Sequence, residues 1–392
     1  MSALQRFLLF WSRRPLLLNV VLLGMVCVLY GELTLRGHGR LYEERVVEFR
    51  LLGDLDFFRT EPGVENILLP SLGAAFRWLW MTIGFEYTEA TFVVFAAVPY
   101  VLFIYALTRY LARRAHGGRL LAMGAAIALY TSGMIPYMTS WGGYVDGLSY
   151  LLLLPVLIWP RSLLVYAVTF ILQCTNHYLG AVAQLLLAFV WHSLTALGKD
   201  DTPEDGFSYW CATFLPRAAL SAVVLAAFIL FWQLNYPEAA GARQAIVAQK
   251  WEDPEGVLNE VLSRFPWTLL STLKLGLVPV LALMAAALPA QRARMAVLAV
   301  PFLAAVALTF AFLDITRVAT MVVMPAFLVT ILVAGRDDSA PPRVRRSLRR
   351  IVIATALLNL LIPNYYVNDG AIVVPESKAI RFMISTAVDL FD

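Results

Sequence analysis

Apolar residues in this chain come in blocks rather than in alternation. Runs of about 17–23 apolar residues, separated by short polar connections, recur from the N-terminus to residue 364. A helix rising 1.5 Å per residue needs ~20 such residues to cross a ~30 Å hydrocarbon core. The pattern predicts eleven spans, near 15–32, 91–111, 119–138, 147–160, 162–176, 178–197, 213–235, 267–288, 293–313, 317–335 and 350–364. Between 147 and 198 the only Arg, Lys, His, Asp or Glu are Arg161, His177 and His192. These 52 residues make about 78 Å of helix, short for three full crossings. Three short helices are predicted there, because an odd number keeps the basic loops on one side. The expected fold class is an all-α polytopic transmembrane bundle forming a single domain over 1–392.

Two connections are long, 33–90 and 236–266. In the first, Leu41, Val46, Val47, Phe49 and Leu52 alternate with Glu43, Glu44, Arg45, Glu48 and Arg50 at helical spacing, which predicts a surface helix over 41–52. A second, over 68–83, carries Phe76, Trp78, Leu79 and Trp80, residue types that favour the headgroup level. The tail 376–392 has a similar pattern. Residues 336–349, with Pro341 and Pro342, read as a polar linker.

Composition narrows the class. The chain is 60% hydrophobic and 15% charged, against ~45–50% and ~25% in soluble domains. A water-soluble fold is excluded. The net charge of +4 indicates orientation rather than nucleic-acid binding. Sorted by the predicted topology, 18 of the 31 Lys and Arg but only 6 of the 27 Asp and Glu fall on the side of the N-terminus. Basic clusters at Arg109/Arg113/Arg114/Arg119 and Arg343/Arg345/Arg346/Arg349/Arg350 place that side in the cytoplasm. Arg6, Arg13 and Arg14 before the first run, with no small-residue cleavage site after it, predict an uncleaved anchor. Cys27, Cys174 and Cys211 have no metal or redox spacing and read as inert thiols.

Four polar groups fall on the outer side. The first is the acidic loop with Glu43, Glu44, Glu48, Asp54, Asp56 and Glu61. A carboxylate there can act as a general base, or hold a divalent ion such as Mg²⁺ or Mn²⁺ that does; a solvated face is the plainer account. The second is Tyr144-Val145-Asp146, where an Asp before a helix can simply cap it. The third is Thr175-Asn176-His177-Tyr178, with Gln173 nearby, polar groups at membrane depth that call for a cavity or partners. The fourth is Asp314-Ile315-Thr316-Arg317, whose Arg either pairs with Asp314 or is a fixed cation for an anionic ligand.

The stretch Tyr42-Glu43-Glu44, Gly53, Pro62-Gly63-Val64, Leu69-Pro70-Ser71-Leu72 and Gly84 resembles the first outer loop of the GT-C integral membrane glycosyltransferases. The resemblance implies a first helix, a long outer loop with amphipathic helices, and a catalytic carboxylate among Glu43, Glu44, Asp54 and Asp56. It also implies a polyprenyl-phosphate-linked sugar donor, a glycan, lipid or protein acceptor, and a periplasmic active face in a bacterial inner membrane. Tyr144, Asp146, Asn176, His177, Asp314 and Arg317 would then line the substrate. Glu43 stands where the family commonly has Asp, and no large C-terminal soluble domain follows. Three other functions are open. A lipid-linked glycan transporter or flippase should show internal repeats and charges near mid-membrane, neither of which stands out. An O-antigen-type polymerase or ligase would concentrate Arg in a large outer loop, whereas 236–266 holds Arg243, Lys250 and Arg264. A membrane O-acyltransferase would use Asn176 and His177 but shows no further motif.

Overall fold

The computed structural model describes residues 10–30, 68–114, 118–139, 146–197, 203–235, 252–286, 292–309, 315–335, 342–362, 366–368 and 371–373, with a few isolated positions. The described elements are helical apart from one antiparallel hairpin. In order they are α1 (Pro15–Tyr30), α2 (Leu68–Thr82), α3 (Glu89–Arg114), α4 (Gly118–Tyr130), α5 (Met134–Thr139), α6 (Asp146–Ile158), α7 (Leu163–Asn176), α8 (Tyr178–Leu197), α9 (Pro203–Thr213) and α10 (Leu215–Asn235). There follow α11 (Pro254–Leu273), a single 3₁₀ turn (Lys274–Gly276), α12 (Leu277–Ala286), α13 (Arg292–Thr309), α14 (Ile315–Gly335), α15 (Pro342–Asn359) and the strands β1 (Tyr366–Asn368) and β2 (Ala371–Val373).

Helices dominate because an apolar segment out of water must satisfy its own backbone N–H and C=O groups. Five described stretches are long and apolar enough to cross a membrane: Val94–Arg114, Tyr178–Leu197, Asp205–Leu234, Pro254–Ala285 and Thr316–Gly335. Pro15–Cys27, Gly118–Tyr130, Asp146–Ile158, Leu163–Asn176 and Ala296–Leu308 are shorter apolar helices. The chain is thus a helical bundle of membrane type. Helix α14 is its axis. Its span is wholly buried, packed against α8, α11, α13 and α15. By contrast α10 is a peripheral helix, with Val223, Leu230 and Leu234 exposed.

The predicted spans 119–138 and 267–288 are interrupted at 131–133 and 274–276, and three further boundaries depart from expectation, each for a local reason. Helix α11 begins at Pro254, inside the predicted loop 236–266. Asp253 caps it, its Oδ1 accepting the Gly256 N–H at 2.9 Å, and Pro254 opens the first turn. Helix α15 begins at Pro342, inside the predicted linker, so the arginines of 343–350 form its polar first half. Helix α9 is an extra short helix within 198–212, opened by Pro203. Hydropathy alone does not register such half-polar helices. The predicted surface helix 68–83 is present as α2, pinned to the start of α3 by stacking of Phe76 on Phe95, ring centroids 5.0 Å apart. The segments 41–52 and 376–392 lie outside the described residues.

At the end of the bundle that carries the basic loops, Arg217 is buried among backbone carbonyls. Its guanidinium donates to Thr213 O and, at 3.0 Å, to Pro160 O, which His192 Nε2 also contacts at 3.1 Å. These carbonyls follow α6 and end α9, where the helix dipole is negative, so the cation closes two helix ends at once.

Candidate functional site: a buried ion pair at the end opposite the basic loops

Three helix junctions meet at the other end of the bundle. Helix α7 stops at His177, whose backbone is extended (φ −167°, ψ 126°) and whose N–H still bonds back to Gln173 O at 2.7 Å. Helix α8 starts at the next residue. The imidazole is therefore delivered from a break between two helices, stacked on the Tyr178 ring at 4.8 Å. Asp146 occupies the first turn of α6, where the free N–H groups favour a carboxylate. Arg317 lies in the first turn of α14.

The three side chains touch. Arg317 Nε lies 2.9 Å from Asp146 Oδ2, and Arg317 Nη2 lies 3.0 Å from His177 Nε2. Asp146 is 2% exposed and Arg317 12%. A guanidinium and a backbone N–H are both donors, so Arg317 Nη2 at Nε2 and the Leu179 N–H, 3.2 Å from Nδ1, both call for a ring acceptor, of which a neutral imidazole has one. Tyr150, fully buried on the second turn of α6, is within electrostatic reach of both charges.

A hydrogen-bonded clamp behind this triad joins α6 and α7. Asn176 Nδ2 donates to Ser149 Oγ at 2.9 Å, and Gln173 Nε2 donates to Ser149 O at 2.8 Å. Two glycines allow the close approach. A Cβ at Gly180 would meet Gln173 Oε1 at 2.1 Å and Ser149 Oγ at 2.5 Å; one at Gly147 would meet the Tyr100 ring at 2.4 Å.

Of the candidate residues, the structure thus brings Asp146, Asn176, His177 and Arg317 into one place. Glu43, Glu44, Asp54, Asp56, Tyr144 and Asp314 lie outside the described residues. A carboxylate on Arg317 is Asp146, 171 positions away in sequence. Among the described residues no group of three or more His, Cys, Asp or Glu could hold a metal ion. No family model, no curated protein and no solved structure matches the chain.

A second polar centre went unflagged in the sequence. Lys274, 2% exposed, sits in the 3₁₀ turn between α11 and α12 and donates through Nζ to Ile362 O at 2.7 Å. It is the ionisable residue inside the predicted span 267–288, and that alone was the available signal. It is a buried charge that the reading of no outstanding charge near mid-membrane passed over.

Proposed function

We propose that the chain is an eleven-span membrane glycosyltransferase of GT-C type, moving a sugar from a polyprenyl-phosphate donor to an acceptor on the outer, periplasmic face of a bacterial inner membrane. The observation that supports this reading is the Asp146–Arg317–His177 constellation, a fixed guanidinium held at the end of the bundle opposite the basic loops. An acceptor hydroxyl oxygen attacks the anomeric carbon while the bond from that carbon to the phosphate oxygen breaks. The hydroxyl proton passes to a carboxylate of the loop 33–90, with Glu43, Glu44, Asp54 and Asp56 as the candidates. The lipid phosphate leaves with the bonding electrons and is received by the Arg317 guanidinium, whose planar fork suits phosphate oxygens. Asp146, committed to the ion pair, holds the guanidinium in position. His177 fixes its other edge.

The test is donor turnover by purified protein in lipid nanodiscs, using polyprenyl-phosphate hexoses and pentoses labelled in the sugar. Wild type should release or transfer label from at least one donor, and Arg317→Ala should lose ~10²–10³ in rate. Turnover undiminished in Arg317→Ala would remove this residue from the reaction.

One observation favours a second reading, a lipid-linked glycan transporter. A discontinuous helix with a buried charge at its break is the arrangement by which transporters hold a substrate, and α11–α12 with Lys274 has that form. In proteoliposomes a transporter would move labelled donor across the bilayer with its sugar–phosphate bond intact.

A further inference from the structure

The break between α11 and α12 is held by a single side chain from another helix. Leu275 N–H, which an unbroken helix would pair with Ser271 O, instead donates to Asn359 Oδ1 at 2.9 Å. Asn359 Nδ2 donates in turn to Leu273 O at 3.2 Å. Asn359, fully buried in the last turn of α15, thus bridges both sides of the gap. Lys274 between them adopts φ 51°, ψ −130°, and no other described non-glycine residue has a positive φ. This backbone disfavours a side chain and persists only where the surroundings impose it. The imposing group is again the end of α15, because Lys274 Nζ reaches Ile362 O, three residues beyond Asn359.

The two halves of the broken helix are gripped differently. The inner half, α12, buries Val280 and Leu283 in the apolar core. The outer half, α11, buries Leu273 in the same core at its last turn and meets α14 and the turn after α4 through small polar contacts. Ser271 Oγ lies 2.8 Å from Thr316 Oγ1, and the Gly133 N–H donates to Thr272 O at 2.6 Å. Thr316 immediately precedes Arg317. Thr268 Oγ1, in the same stretch of α11, is buried with no hydrogen-bond partner, a cost that the closed arrangement carries. The segment that follows Ile362 returns as the β1–β2 hairpin, and β1 packs against α11 and α14.

We propose that Lys274 marks a hinge and that Asn359, with the Lys274–Ile362 tether, is its latch. When the end of α15 lets go, α11 swings on α12, Ser271 leaves Thr316, and the interface beside Arg317 opens. Hinges collect at element ends that absorb a large backbone change, and this one is already strained in the closed state. Neither the transferase nor the transporter reading enters into this device.

The test is hydrogen–deuterium exchange on the full chain in nanodiscs. Asn359→Leu removes both bridging bonds and should speed exchange of amides 268–277 at least tenfold while leaving 320–335 at wild-type rates. The oxidised pair Ser271→Cys/Thr316→Cys should slow 268–277 below wild type, and reductant should restore it. Should Asn359→Leu not fold, Lys274→Met, which cuts only the tether, should speed the same amides by a smaller factor. Unchanged exchange in 268–277, or a uniform rise across the bundle, would overturn the hinge.

Discussion

Replacing Asp146 and Arg317 separately and together tests what their contact is for. At 2.9 Å and an effective dielectric of ~20, two unit charges attract by ~6 kcal/mol, most of it offset by the cost of taking both out of water. Removing one partner leaves the other a buried charge that has lost its 2.9 Å counter-ion. Asp146→Asn and Arg317→Gln should therefore each destabilise the fold by ~3–5 kcal/mol. The double variant places two neutral, mutually hydrogen-bonding amides where the ions stood. It should recover ~1–3 kcal/mol relative to the sum of the singles, as contacting residues do in a double-mutant cycle. Reversible unfolding in mixed detergent micelles measures all four corners. Losses below ~1 kcal/mol that simply add would refute the buried pair. The same proteins separate stability from chemistry. If Arg317 receives the leaving phosphate, the double variant is stable and inactive. A double variant restored in both respects would leave the pair a structural clasp only.

Other expectations concern single features. Gly180→Ala forces a methyl into Gln173 Oε1 and Ser149 Oγ and should cost ~1–3 kcal/mol, with Gln173→Ala in the same chain returning part of it, read from thermal melts. Under the predicted orientation a cysteine at Glu86, exposed between α2 and α3, reacts with an impermeant maleimide added to intact cells, while one at Asp205, exposed at the start of α9, does not. The reverse pattern would invert the orientation and remove the outer-face site. Arg217→Leu should destabilise by ~1–3 kcal/mol, because the Pro160 and Thr213 carbonyls lose their buried donor. It should leave the affinity for any donor bound at Arg317 unchanged, as measured by quenching of a labelled polyprenyl phosphate.

The apolar helices were legible because lipid permits one solution for an apolar run, a helix that satisfies its own backbone. Segments with mixed character were not. The first half of α11, with Glu255, Asn259, Glu260 and Arg264, and the arginine-rich start of α15 both read as loop, although Pro254 and Pro342 stand where helices accept proline. The hairpin was signalled by Asp369-Gly370 between two short apolar runs, but a signal that short is lost beside a predicted span. At the site, each polar residue could be picked out because it interrupts an apolar block. Their partnership could not, since Asp146, His177 and Arg317 are joined by packing among α6, α8 and α14 rather than by any spacing. Tertiary contact brings Asp146 to Arg317, which nothing in the sequence around either residue announces. Lys274 shows the converse. It met the criterion for a functional charge at membrane depth, but only the backbone shows that it stands at a break.

The 14 residues of α7 have a consequence outside the protein. Such a helix is ~21 Å long, about 9 Å less than the hydrocarbon it would face, and one flank of it, Leu163, Leu164, Val168 and Ile171, is exposed. Acyl chains beside this flank must shorten or splay, so the bilayer dimples there. Helix α2 packs on α7 and exposes Trp78 and Leu79, side chains suited to the headgroup level of a thinned leaflet. The thinning brings headgroups down toward His177 at the end of α7. A long-tailed lipid could then present its phosphate to the site without leaving the leaflet. Host-lipid thickness becomes a control variable: nanodiscs of short-chain lipids should stabilise the protein, and long-chain ones should strain it.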